Sequence, residues 1–507
     1  MTDLCGLPDE LLVAVAKCLR DDSKNRYSDL NHLALSYRKL RPIAQEVLYT
    51  EVPTNPTPKR SLANLARTLL QRPDLAKRVR KLNIDLSGMS LTHHRSCLSW
   101  GCQDEEGRED CTCGIPELVT LFQGLTSTVN SRNGVSLHNE GWEDMLMRGV
   151  DAALVGLILY ITPALDTFSL TTLNSPMDPE YHKNNAAWAE VEKLFELISR
   201  HVGLAGCFLG LSSLTRLLTT GCAPSSWLSL PRLEAARFDL FEDPDHTNKM
   251  ISNIAPGVTV STTLTRLVVQ PEFKAFYCDK ATNMEGVYGQ FRIVVSGLTS
   301  LTHLFVLYRA AANPLLTYEP LASPQGSFAH IVSRLESRSL TDLTVDVEPA
   351  PEHWGGYVTM MLGYIHDTTP MTTFAGLPRL LNLNGPQQAF FSVNEGFQTC
   401  RLPTTIESIG IMNSTSETKR YLKHLLDRQT ESPNLKNIKL GEIPCNDQSV
   451  CSDGSSDDDA SESGEGERRK AFDLDDPICE QARSRGLQVE KVQDRTTWKK
   501  GWKGLDL

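Results

Sequence analysis

The chain has 507 residues and a mass of 56.3 kDa, which allows roughly two to four domains and excludes a single small module. At 40% hydrophobic and 22% charged residues it has the composition of an ordinary folded protein, which excludes wholesale disorder. The net charge is -11, but Asp447 to Glu467 holds eight acidic residues and no basic one, leaving -3 elsewhere, so nucleic-acid binding by phosphate neutralisation is excluded as an expectation.

The first predicted element is a helix opened by Leu7-Pro8-Asp9-Glu10-Leu11-Leu12, with proline in its first turn and two carboxylates at the positive end of the dipole. Leu11, Leu12, Val15 and Leu19 recur at helical spacing and form one apolar face. After the polar stretch Arg20 to Ser28, Asp29 stands as a cap, and Leu30, Leu33, Ala34, Leu40 and Ile43 trace a second face. So short a module has too little interior to bury all of these, so some apolar surface is expected to meet a partner or the next domain. Pro53, Pro56 and Pro58 then mark a semi-rigid connection.

The series Leu7 to Leu12, Val15, Leu19, Asp29-Leu30 and Leu33 to Leu40 resembles the F-box, the adaptor-binding motif of SCF-type cullin-RING ubiquitin ligases. Leu48-Tyr49 and the stretch Ser61 to Leu86, with Arg72-Pro73-Asp74-Leu75 and Val79-Arg80-Lys81-Leu82, look like fungal members of that family; Tyr37 stands where the family often has Cys. The resemblance implies that residues 4–50 bind a Skp-type adaptor, and through it a cullin. Leu7, Pro8, Leu11, Leu12, Val15, Leu19, Leu30, Leu33 and Leu40 would form the adaptor-binding surface.

Between 60 and 445 a short phrase recurs, Leu-x-x-Leu-x-Leu with substitutions. It starts at Leu165, Leu214, Leu233, Leu264, Leu301, Leu340, Ile406 and Leu435. The end of each phrase alternates as a strand does. Amphipathic stripes fall between phrases, at Trp188, Val191, Leu194, Phe195, Ile198 and Val202, and at Phe328, Ile331, Val332 and Leu335.

This rhythm predicts an α/β fold, an irregular leucine-rich-repeat-like solenoid with a parallel sheet. From Leu165 to Leu340 successive phrases start 49, 19, 31, 37 and 39 residues apart, so the repeat is loop-decorated. Only Cys222 occupies the position where such repeats place a ladder-forming Asn or Cys, so the turns are expected to be held by other groups. A doubly wound sheet would bring a glycine-rich phosphate turn, which the sequence lacks. Target recognition is expected from the non-apolar strand positions, among them Arg216, Arg266, His303 and Asp342.

The remaining motifs are weaker. His93, His94, Cys97, Cys102, Cys111 and Cys113 offer zinc-type ligands, but no C-x-x-C pair, so a loop insertion over 88–114 without metal is the expectation. No nucleophile elbow, phosphate-binding loop or H-E-x-x-H occurs, so neither an enzyme nor a cofactor is expected. Residues 446–507 read as an acidic, largely disordered tail, with Ser455 and Ser456 placed for acidophilic kinases and Trp498 and Trp502 among lysines.

Thirteen scattered cysteines suit a reducing compartment. Asp3, Asp9 and Glu10 interrupt any export signal, and the longest apolar run, Ala152 to Ile161, falls short of the roughly 20 residues a span requires. An intracellular protein without membrane contact is expected, its target unnamed.

Overall fold

The computed structural model describes residues 6–22, 26–54, 60–85, 120, 123, 151–171, 209–220, 227–228, 230–240, 263–271, 295–309, 328, 332, 335–348, 370–371, 373–392, 398–441 and 475–492. They belong to two compact units, Met1–Glu234 and Ala235–Leu507. Both combine helices with parallel strands, and the class is α/β as the sequence predicts.

The first unit begins with three helices, α1 (Asp9–Asp22), α2 (Arg26–Ser36) and α3 (Leu40–Thr50). Helix α3 runs without a break into β1 (Glu51–Thr54), and α4 (Arg60–Gln71), α5 (Pro73–Ala76) and β2 (Lys81–Asp85) follow. The expected connection at Pro53 is therefore part of the sheet. Pro53 pairs with Asn83 in a strand whose one described neighbour is β2, where a missing N–H costs no ladder bond on the open side.

Helix α6 (Asp151–Ile161), strand β3 (Thr167–Thr171), helix α7 (Leu209–Ser213) and strand β4 (Arg216–Thr220) complete the unit. The ten-residue apolar run becomes α6, buried from Ala153 to Tyr160 between α4 and α7, as a helix that is apolar all round must be. Gly210 permits this approach, since a Cβ there would lie 2.5 Å from the Leu159 carbonyl oxygen.

The second unit contains β5 (Ala235–Leu240), β6 (Arg266–Pro271), β7 (His303–Arg309), β8 (Asp342–Glu348) and β9 (Asn382–Pro386). Helix α8 (Gln387–Phe390) and the antiparallel pair β10 (Phe391–Ser392) and β11 (Gln398–Thr399) interrupt the series. It resumes with β12 (Ser408–Met412), α9 (Thr418–Asp427) and β13 (Asn437–Gly441). Helix α10 (Pro477–Ser484) and β14 (Gln488–Val492) end it. The last two lie inside 446–507, so that part of the expected tail is corrected. Burial of Cys479, Ala482, Leu487 and Val489 supplies the apolar contact that holds them.

Strand order follows chain order in each unit, and the register does not drift. In the first, Val52, Leu82, Phe168 and Leu217 are Cα partners in turn. In the second the same line runs through Ala236, Leu267, Leu304, Leu343, Leu383, Ile409, Ile438 and Val489. Every apolar residue of the eight phrases faces the core and is buried. Two further phrases emerge: Val79, Leu82 and Ile84, and Leu380, Leu383 and Gly385, where a Cβ on Gly385 would come within 3.3 Å of the Ala389 side chain. Of the second predicted stripe, Phe328, Val332 and Leu335 are buried; the stripe from Trp188 to Val202 lies outside the described residues.

The turns are held by hydroxyl groups. In three places the residue before a phrase donates to the carbonyl opening the previous one: Ser213 to Leu165 at 2.7 Å, Ser339 to Leu301 at 2.8 Å, Thr405 to Leu380 at 2.8 Å. The residue after the first leucine does the same one place on: Thr215 to Asp166 at 3.3 Å, Thr302 to Thr265 and Thr341 to Thr302 at 3.1 Å. The receiving carbonyl also takes two main-chain N–H groups, as Thr302 does from Thr341 and Asp342, both at 2.9 Å. Cys222 lies outside the described residues.

Candidate functional site

The three opening helices enclose a small core of Leu12, Ala16, Leu30, Leu40, Ile43 and Val47. Of the nine residues expected at an adaptor surface, Leu12, Leu30 and Leu40 thus close the module's own interior. Leu7, Leu19 and Leu33 are partly buried against them, Val15 is half-buried, and Pro8 and Leu11 are exposed. The large hydrophobic side chains left exposed among the described residues are Leu11 at 52%, Leu35 at 82% and Tyr37 at 52%, all in this module.

One bridge organises these three. Lys39 Nζ donates to the Leu7 carbonyl at 3.2 Å and lies 3.5 Å from Asp9 Oδ1, fastening the start of α1 to the turn between α2 and α3. Helix α1 starts where the N–H groups of Leu11 and Leu12 meet the Pro8 carbonyl, and α3 where those of Leu40 and Arg41 meet Tyr37. Leu11, Leu35 and Tyr37 each stand within four residues of a partner in the bridge. Exposed Lys17, Arg38 and Arg41, without ion pairs among the described residues, add a basic rim.

Sequence reasoning did not name Leu35, and named Tyr37 only as the residue standing where the resembled family often has Cys. The signal for Leu35 was its angle: five residues beyond Leu30, it sits about 140° around the helix from the buried stripe, where a leucine has no core to serve.

The module is seated firmly on β2. Arg80 N–H donates to the Thr50 carbonyl at 3.0 Å, Arg78 pairs with Glu46, and Lys81 Nζ lies 3.7 Å from Glu51. Burial raises the Tyr49 hydroxyl above its ordinary pKa against the opposing pull of Thr68 and Arg72, so it remains a neutral donor.

The second surface is the strand row at the third position of each phrase. Arg266, His303 and Asp342 are in register on β6, β7 and β8, half-buried; Arg216 holds the same place on β4 of the first unit. Asp342 accepts from Asn382 Nδ2 at 2.7 Å and from Thr341 Oγ1 at 2.6 Å, and lies 3.4 Å from His303 Nε2. Two residues further along the strands the same face is closed, because Val268, Phe305 and Thr344 are buried. Strand β7 is buried on both sides from Leu304 to Tyr308, as its unbroken apolar run suits. On β6, β7 and β8 the open polar surface thus lies at the start of the strands.

Burial drives the Cys400 thiol far above its usual pKa, which suits packing rather than nucleophilic attack. Among the described residues no group of three or more His, Cys, Asp or Glu could hold a metal ion. The cluster from His93 to Cys113, Ser455, Ser456, Trp498 and Trp502 lie outside them. No described helix is long and apolar enough to cross a membrane. No family model matches the chain, and no curated protein matches it.

Proposed function

We propose that this chain is the target-recognition subunit of an SCF-type cullin-RING ubiquitin ligase. The opening helices act as an F-box that docks on a Skp-type adaptor, and the phrases form a leucine-rich-repeat-like solenoid that holds a target protein. The observation that carries the reading is the placement of Leu11, Leu35 and Tyr37: apolar side chains left outside a module whose own core is already full. Leucine exposed without a partner is uncommon enough to mark a contact when it clusters. Each side chain buried on docking contributes about 1.5–3 kcal/mol before ordering costs, and the basic rim favours an acidic adaptor.

The chain performs no bond chemistry in this role. Tethering target and conjugating enzyme raises the concentration each meets. The break-free joint from α3 to β1 suits the task, because it fixes the direction in which a target is offered. The setting is intracellular, without cofactor, membrane or nucleic acid.

The same joint favours a second reading, in which the helices cap the end of a leucine-rich scaffold that assembles no ligase. Capture experiments separate the two. Full-length protein should retain a purified Skp-type adaptor, and Leu35→Asp with Tyr37→Asp should lose it while keeping its helical signal. If the adaptor is never retained, the cap reading stands; if it is retained but recruits no cullin, the scaffold reading stands.

A further inference from the structure

Resting on the reading that the strand surface holds a target, we propose that Arg266, beside the fixed His303 ring, receives an acidic peptide segment of that target, a side-chain carboxylate seating on the Arg266 guanidinium. Three observations converge. Arg266 is half-buried and has no hydrogen bond or ion pair among the described residues, although the carboxylate of Asp342 stands two strands away in the same row. That carboxylate is already engaged by Asn382, Thr341 and His303. The His303 ring is held from both sides, its Nδ1 2.8 Å from Thr302 Oγ1, so it stands in a fixed orientation beside the arginine.

A half-buried guanidinium whose donors have no partner among the described residues is open to an anion, and its planar fork matches a carboxylate. The positive character is local. Asn382, Ser408 and Asn437 continue the row as neutral side chains that hydrogen-bond without charge. Strands lie about 4.8 Å apart, so a peptide crossing them meets the arginine first, then His303 and the already engaged Asp342 carboxylate, and neutral amide and hydroxyl groups beyond. A small free anion would use the first of these contacts and none of the rest. Burial of Val268 and Phe305 keeps the peptide at the start of the strands.

Fluorescence anisotropy of a labelled polyglutamate peptide with the full-length protein tests this. Wild type should bind, more weakly as salt rises, and Arg266→Gln should weaken binding roughly tenfold or more. Arg266→Lys, which keeps the charge but loses the fork, should fall between, with an unchanged urea midpoint certifying its fold. Peptide that fails to bind wild type, or binds Arg266→Gln as tightly, overturns the proposal, as does displacement by inorganic phosphate at equal concentration. Adaptor capture should be the same in all three proteins. Its loss in wild type, with peptide binding intact, sinks the ligase reading alone.

Discussion

The hydroxyl of Thr341 donates to the main-chain carbonyl of Thr302, 3.1 Å away, and Thr302 donates in the same way to Thr265. These phrases are tied to their predecessors by a side chain as well as by the sheet. Thr341→Val keeps the shape and deletes this bond together with the 2.6 Å one that the same hydroxyl shares with Asp342 Oδ2, while two N–H groups still reach the carbonyl. It should cost about 0.5–1.5 kcal/mol, and Ser339→Ala, which removes the 2.8 Å bond to Leu301, a similar amount. Urea unfolding of the two variants measures it; a change below a few tenths would mean the sheet alone sets the register.

Gly210 and Gly6 make a matched pair. A methyl group at Gly210 meets the Leu159 and Thr162 carbonyls at 2.5 and 2.9 Å, both main-chain atoms that cannot swing aside, whereas one at Gly6 meets nothing within 4 Å. Gly210→Ala should destabilise by about 1–3 kcal/mol through overpacking, and Gly6→Ala should be close to neutral. Thermal unfolding of both proteins gives the comparison directly.

In the helical module, position on the surface separates folding from docking. Leu12→Ala should cost about 2–5 kcal/mol, because Leu12 is buried in a core that cannot fully collapse. Leu35→Ala should stay within about 0.5 kcal/mol. Adaptor capture should follow the reverse order once stability is accounted for. Equal loss of stability in both variants would show Leu35 to be packed against the chain itself.

Acid should loosen the last helix and strand. Burial pushes the Asp476 carboxyl up, but Lys419 Nζ at 2.5 Å and the Ile478 N–H at 3.1 Å outweigh it and leave the group below its ordinary value. A carboxyl lowered in the folded state stabilises fully above its unfolded value of about 3.9 and loses that contribution as pH falls through the lower, folded one. Hydrogen-exchange protection over 477–492 should therefore fall in that acid range, and Asp476→Asn should flatten the dependence while lowering protection at neutral pH.

The sheet was legible in the sequence because burial on a strand repeats every second residue: eight phrases named by their leucines all proved to be core. Two were hidden by substitution, one opening on Val79 and one closing on Gly385. The tie between phrases was also written in the chain, as Ser213-Leu214-Thr215, Thr263-Leu264-Thr265, Ser300-Leu301-Thr302 and Ser339-Leu340-Thr341. It escaped notice because small hydroxyl residues also populate ordinary loops. For the proposed docking surface, the resemblance named the leucines of the opening helices without telling buried from exposed: Leu12, Leu30 and Leu40 are core, while Leu11, Leu35 and Tyr37 are exposed. Leu12 and Leu11 are neighbours in sequence, yet a rotation of 100° puts one inside and the other in water, and only packing decides which.

The last helix and strand bring two segments far apart in sequence side by side. The backbone leaves the sheet at Gly441 and returns through Asp476, with Arg485 Nη1 on the Leu426 carbonyl at 2.5 Å and β14 pairing along the whole of β13. The carboxylates from Asp447 to Glu467 therefore lie, in sequence, between two strands that pair with each other. A protease site engineered at Ser455 and cut to completion should release no fragment from the native protein, and the two pieces should part only on addition of denaturant.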